Sequence, residues 1–149
     1  MATIRKATLD DVDEIVSMSA EFYPTTHYAD FADMDEDSVS GLVSGLIERD
    51  VFLVAEDAGK LVGMVALVIA PFMFNQSIKI AAELVWWVSP SHRGTSVANR
   101  LLSEIEPACK GRGASRIQMV HMPNSPPQAA ALYERAGYFR SEISYTKDI

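Results

Sequence analysis

A mixed α/β fold, with six strand segments and about four flanking helices, is what this chain predicts. Three observations carry that expectation. Segments 51–56, 61–69 and 78–88 are dense in β-branched and apolar residues, whereas Val12, Ile15 and Val16, and later Leu101, Leu102 and Ile105, recur at helical spacing. Hydrophobic residues make up 48% and charged residues 22% of the 149, a globular balance that argues against disorder and coiled coil. The longest apolar stretch, 61–74, is shorter than the ~18 residues a membrane helix needs, and Gly63 and Pro71 interrupt it.

Residues 4–7 read as a short first strand. Thr8 followed by Asp11 resembles a capping box, opening a helix whose apolar face is Val12, Ile15, Val16 and Phe22. A second helix starts at about Ser38, because Val39, Leu42, Val43, Leu46 and Ile47 repeat at three and four. Between the helices, residues 23–37 have no period and are rich in acids and aromatics, a loop length that usually carries function. Segments 51–56 and 61–69 flank Asp57-Ala58-Gly59-Lys60 and predict a hairpin in which glycine supplies positive φ. Residues 78–88 form a third long strand, stopped by Pro90.

A helix then runs from Val97 to about Arg112, with Pro107 expected to bend or shorten it. Residues 116–121 read as a strand, and Ser125-Pro126-Pro127-Gln128 as a helix start with Ser125 as cap. Ala129, Leu132, Tyr133 and Ala136 give that helix its apolar face and Gly137 its stop. Residues 138–146 are expected to close the sheet. With no repeat, linker or low-complexity segment, one domain over residues 1–149 is the expectation.

The net charge of -7 disfavours nucleic acid and anionic membranes as partners. Its distribution is uneven: residues 1–59 carry net -11 and residues 60–149 net +4, so one part suits a cation and the other an anion. No apolar signal core follows Arg5 and Lys6, and Cys109 is the single cysteine, so a cytoplasmic location without disulfides is expected. Three scattered histidines and one cysteine make no metal site. The oligomeric state is left open, a homodimer included.

Chemistry concentrates in Val88-Ser89-Pro90-Ser91-His92-Arg93-Gly94-Thr95-Ser96-Val97-Ala98, a strand passing through a polar loop into a helix. Free N–H groups at such a helix start can cradle a phosphate. This stretch resembles the GNAT superfamily of N-acyltransferases, in which a strand ending Val-x-Pro leads to Arg/Gln-x-x-Gly-x-Gly/Ala and a helix, with Ser96 here in place of the first motif glycine. Leu132-Tyr133-Glu134-Arg135-Ala136-Gly137-Tyr138 is similar to the same family's Leu-Tyr-Glu-x-x-Gly-Phe signature, and the order β-α-α-β-β-β-α-β-α-β fits over nearly the whole chain.

The resemblance implies a mostly antiparallel central sheet of six to seven strands, splayed between its fourth and fifth, with acetyl-CoA or another acyl-CoA bound there and no metal. The acyl group would pass directly to an amine of a small molecule or peptide. The cofactor-binding positions it implies are Trp86 and Val88, whose backbones would pair with the pantetheine arm, and Arg93, Gly94, Thr95, Ser96, Val97 and Ala98 around the pyrophosphate. An alkylammonium is neutral only about once in 2,500 molecules at pH 7, a cost of roughly 4.6 kcal/mol, so a base is required. Glu83 is the candidate base, a lone carboxylate in an apolar strand where burial would raise its pKa; the alternatives are a solvated edge residue or a pair with Lys79.

Tyr133 matches the family tyrosine that protonates the leaving thiolate, against plain core packing. His121 is an alternative base or a satisfied histidine, and Asn124 resembles a family asparagine but lies nine residues before Tyr133 rather than about seven. Trp86 and Trp87 also suit core and cleft wall, and Cys109 a small buried hydrophobe. Loop 23–37, with Asp30, Asp33, Asp35, Glu36 and Asp37 beside His27, Tyr28 and Phe31, is the expected recognition element for a cationic acceptor, His27 and Tyr28 being the contact candidates. The competing reading is a non-catalytic CoA-binding or interaction module with the same fold.

Overall fold

The computed structural model describes residues 1–149. Strand β1 (Thr3–Lys6) leads through a single 3-10 turn to helix α1 (Val12–Phe22), and α2 (Glu36–Arg49) follows. Strands β2 (Val51–Asp57), β3 (Lys60–Phe72) and β4 (Asn75–Val88) form a meander, after which come α3 (Val97–Gly111), β5 (Ala114–Gln118) and α4 (Pro127–Arg135). The sheet order is β1-β2-β3-β4-β5, antiparallel except for the parallel β4–β5 pair. No helix is long and apolar enough to cross a membrane.

Alternation along β2 and β3 divides the core between two faces of the sheet. Val54, Met64 and Ala66 pack with Ile15 and Met18 of α1 and Val43 and Leu46 of α2 on one face. Leu53, Val65 and Leu67 pack with Leu101, Leu102, Ile105 and Cys109 of α3, and with Tyr133 of α4, on the other. Gly63 sets how near α3 comes: a Cβ there would lie 3.1 Å from Leu101 Cδ1, 3.2 Å from the Trp87 carbonyl and 3.4 Å from Val97 Cγ1. The β2–β3 turn carries positive φ at both Ala58 (50°) and Gly59 (78°), so alanine shares the left-handed geometry expected of glycine alone.

Local expectations hold in part. The Thr8 N–H bonds the Asp11 carboxylate at 2.7 Å, but that box opens the 3-10 turn, and α1 begins only at Val12. Asp35, rather than a residue nearer Ser38, caps α2 by accepting the Ser38 N–H at 3.0 Å. Pro107 is accommodated within α3 because it lies on the exposed face, with the helix continuing to Gly111. Ser125 does not cap α4: its hydroxyl accepts the Met122 N–H at 3.0 Å, tightening the preceding loop, and the helix starts at Pro127.

The expected six to seven strands are five. Strand β5 stops at Gln118 instead of continuing to residue 121, and residues 139–149 run without ladder pairing, with Phe139, Ile143 and Tyr145 exposed. Strand patterning is a local preference, whereas a strand exists only where another edge satisfies its backbone. The chain leaves the β5 register after five residues and turns into the 119–126 loop, and that short edge holds no sixth strand.

Candidate functional site

Glu83 owes its position to a fault in the β3–β4 ladder. Ala66 pairs with Val85 but Leu67 with Glu83, so Leu84 is the extra residue of a β-bulge. The bulge resets the alternation: Glu83 faces with Ala81 before it and with Trp86 and Val88 after it, on the side that carries α3 and Tyr133. Glu83 has no protein hydrogen-bond donor or ion-pair partner, Lys79 included, and burial alone pushes its carboxyl up to about 8.

Beyond the bulge the sheet opens. Strand β5 pairs with β4 only from Lys79 to Ala82, while β4 runs on to Val88. The Ser89 N–H turns toward β3 and bonds the Val62 carbonyl at 2.9 Å. By strand alternation, the N–H and C=O groups of Val88 and Trp86 face the opposite way, into the opening. The Val88 carbonyl is taken by Arg93 Nε at 3.0 Å, and the Arg93 guanidinium lies 4.4 Å from the centre of the Trp87 ring. The Arg93 side chain thus anchors the loop to the end of β4, a role its place in the motif did not reveal.

Gly94 has φ +78° with open space where a Cβ would stand, and α3 follows. The backbone N–H groups of Gly94, Thr95, Ser96 and Ala98 bond no protein acceptor, and that of Val97 reaches only Thr95 Oγ1 at 3.4 Å. The Ser96 side chain does not cap the helix, its φ of -76° suits any residue, and the first turn holds no acid. The serine that replaces the family glycine therefore brings no backbone strain. A helix start with free N–H groups and no side-chain cap suits an anion. His92 fixes the loop from below, with Nε2 2.8 Å from Asp57 Oδ2, and this bond, before all else, holds the Asp57 carboxyl below its ordinary range.

Tyr133 is buried on α4, its ring 5.3 Å from that of Trp86 and 5.8 Å from that of Tyr138. Its hydroxyl donates to the Val120 carbonyl at 2.8 Å. Burial first, and then the Glu83 carboxylate, raise its pKa well above the ordinary phenol value, so it stays protonated across the neutral range. Burial likewise pushes the Cys109 thiol up to about 11, which suits an inert core residue. His121 is exposed in the loop after β5, with Nε2 3.4 Å from the Pro126 carbonyl, rather than in the strand expected over residues 116–121. Asn124 instead bonds the Thr25 carbonyl, tying the 119–126 loop to the α1–α2 connection.

That connection has more structure than its sequence suggests. Two 3-10 turns, Tyr23–Thr25 and His27–Asp30, occupy it, and the Tyr23 hydroxyl bridges the Tyr28 and Ala32 carbonyls. The His27 ring lies 4.3 Å from that of Tyr28, tilted by 42°, and both are exposed. Of the five acids, Asp35 is committed to capping, whereas Asp33 and Glu36 line a cleft of about 300 Å³ with Tyr23, Pro24 and Met34. Gly63 and the Arg93 side chain are the positions that sequence reasoning missed. Gly63 lies inside a strand, where glycine signals a close backbone approach, but the approaching helix is thirty-four residues away in sequence.

The family model described as Acetyltransferase (GNAT) family matches residues 9–138. Among solved structures, a transcriptional regulator from Bacillus halodurans C-125 is 21% identical, covering 100% of both chains with a TM-score of 0.78. A ribosomal-protein-alanine N-acetyltransferase from Brucella melitensis biovar Abortus 2308 is 20% identical, covering 100% of this chain and 99% of its own, at 0.76. A predicted acetyltransferase from Clostridium acetobutylicum, solved with acetyl-CoA, is 17% identical over 99% of this chain and 96% of its own, at 0.77. At these identities the solved structures share the fold.

Proposed function

We propose, since this chain belongs to the acetyltransferase (GNAT) family, that it transfers an acetyl or other short acyl group from acyl-CoA directly to the amine of a small-molecule or peptide acceptor, acting as one domain over residues 1–149. The observation that carries the reading is the open edge of β4 beside the uncapped start of α3. The residues there fit the group: the free N–H groups of Gly94, Thr95, Ser96 and Ala98 would hold the pyrophosphate, and the Trp86 and Val88 backbones would pair with the pantetheine amides. Arg93 keeps the two halves of that surface in register through the Val88 carbonyl.

Acyl-CoA supplies the thioester. Glu83, which burial makes a base of near-neutral strength, would take the proton that the acceptor ammonium must lose before it can attack. A β4 N–H would receive the developing oxyanion, and Tyr133 would return a proton to the thiolate. Retention of both Glu83 and Tyr133 beside the open edge favours turnover over a binding module that has lost it.

Free-thiol release from acetyl-CoA across a panel of amines tests the reaction, and thermal melting tests the binding. Acetyl-CoA at 100 times its Kd should add about 2.7 kcal/mol to stability, a Tm rise of roughly 5–10 °C. Gly94→Val, strained at φ +78°, should abolish most of that rise. No shift at millimolar acetyl-CoA would remove the cofactor from the reading.

The acceptor is a cationic amine drawn by the α1–α2 connection, with His27 and Tyr28 as flat contact surfaces and Asp33 and Glu36 as unpaired charges on the cleft. Exposed carboxylates act mostly by steering, over a Debye length of about 8 Å. Asp33→Asn with Glu36→Gln should therefore raise KM for a polyamine or a lysine-bearing peptide several-fold, with kcat nearly unchanged and the difference fading in high salt. Equal KM values at low salt would reject the assignment.

A further inference from the structure

Asp57 ends β2, and Ser91 and His92 stand in the 3-10 turn after β4, so Asp57 and His92 are 35 residues apart in sequence. The bond from the Ser89 N–H to the Val62 carbonyl, at 2.9 Å, draws that turn beside the β2–β3 hairpin. Three side chains then fall in line. His92 Nε2 lies 2.8 Å from Asp57 Oδ2, and His92 Nδ1 lies 2.9 Å from Ser91 Oγ. Anchoring the loop needs only the first of these contacts. The second places an exposed hydroxyl on the remaining ring nitrogen.

The partners decide where the protons sit. An ionised carboxylate only accepts, and the bond with His92, before all else, holds the Asp57 carboxyl below its ordinary range, so it is ionised at neutral pH. In the neutral imidazole Nε2 therefore carries the ring proton. Nδ1 is left bare and accepts the Ser91 hydroxyl proton. A hydroxyl held on an imidazole nitrogen, in a ring oriented by a carboxylate, is the arrangement that turns serine into a nucleophile. In serine proteases Nε2 serves the hydroxyl and Nδ1 the carboxylate; exchanging the two nitrogens leaves the logic of the tautomer unchanged.

We propose that Ser91 is the nucleophile of a second reactive site, with His92 as its base and Asp57 as the orienting carboxylate, that hydrolyses small activated carboxylic esters. Neither Glu83 nor Tyr133 takes part, so the activity goes beyond acyl transfer from CoA. Ser91 is exposed and a small ester reaches it directly, but an open site offers little binding energy, which restricts it to esters whose leaving group departs readily. The Ser91 N–H bonds no protein acceptor and is available to the oxyanion.

The reaction balances without a further reagent. Ser91 Oγ bonds the ester carbonyl carbon as its proton passes to His92 Nδ1, the carbon–oxygen bond to the leaving group breaks, and that oxygen takes the proton from Nδ1. Water then attacks the acyl-serine, again giving its proton to Nδ1, and Ser91 Oγ departs and regains it. The net change is ester and water to carboxylic acid and alcohol.

The test uses the full chain with p-nitrophenyl acetate and neither CoA nor amine. Repeated turnover is expected, with acetyl recovered on Ser91 by acid quenching and peptide mass spectrometry. Ser91→Ala, an exposed loop substitution, should lower the rate tenfold or more, and Asp57→Asn about tenfold, because an amide no longer fixes the ring tautomer. A Ser91→Ala rate equal to wild type, or acetyl found only on amino groups, would overturn the proposal and leave the Ser91 contact a surface hydrogen bond. The acyltransferase reading is judged separately: Ser91-dependent ester hydrolysis without thiol release from acetyl-CoA would keep this site and reject that reading, and thiol release without Ser91-dependent hydrolysis would do the reverse.

Discussion

Glu83→Gln is expected to lower kcat by 10²-fold or more while leaving the melting shift produced by acetyl-CoA intact. The pH dependence makes the test specific. With its carboxyl raised to about 8, Glu83 acts as a base only once ionised, so the wild-type rate should climb through pH 7–8 and level off above it. The variant should lack that limb. Stability should move in the opposite direction. The folded value lies above the ordinary 4.5, so the folded protein binds more proton than the unfolded chain between those limits, and ionisation costs stability progressively as pH rises from about 4.5 to about 8. Glutamine has no such cost. The variant should melt near the wild type at pH 4.5 and above it at pH 8, by up to a few kcal/mol in stability. A slower enzyme that is also more stable at alkaline pH points to a carboxylate held buried for chemistry; an unchanged rate across pH 6–9 would move the base to His121 or to water alone.

Tyr133→Phe is expected to reduce kcat about 10²-fold with little change in KM for acyl-CoA. Burial and the nearby Glu83 keep the phenol protonated, so it can donate over the whole neutral range and should add no alkaline limb of its own below pH 10. At rest its hydroxyl donates to the Val120 carbonyl at 2.8 Å, and donation to a thiolate requires that bond to be exchanged. Removing the hydroxyl leaves that carbonyl to water. Val120 is 47% exposed, so the loss should be near the lower end of the roughly 1–3 kcal/mol for an abandoned partner, a Tm decrease of a few degrees. A rate falling only in proportion to folded protein would return Tyr133 to core packing.

The parts of the molecule legible in advance are those written in short-range chemistry. The apolar repeats of α1, α2 and α3 predict the faces that are buried, and the dense β-branched runs of β2, β3 and β4 predict the meander. The lone carboxylate in residues 81–88 singles out Glu83 as the candidate base, and Arg93–Ala98 marks the turn into α3 whose start carries no side-chain cap. Other features depend on what lies across space. The closing strand expected over residues 138–146 has suitable alternation, yet β5 presents only five residues of edge. Ser125 has the chemistry of a cap but spends its hydroxyl on Met122, and Pro107 is tolerated because its side of α3 faces solvent.

What the sequence by itself determined is the alternation of helices and strands, the apolar faces of the helices, the family motifs and the residue types able to do acyl-transfer chemistry. Periodicity and motif spacing are properties of neighbours along the chain, and they survive without knowledge of the fold. Only the tertiary structure decided that Leu84 bulges and turns Glu83 toward Trp86 and Tyr133, that β4 and β5 part after Ala82, that Gly63 admits α3, and that the Arg93 side chain grips the end of β4. Each of these depends on which backbone groups find partners and how closely two elements approach. A residue's pKa and its hydrogen-bonding options follow from that company, which assembles only when distant segments pack.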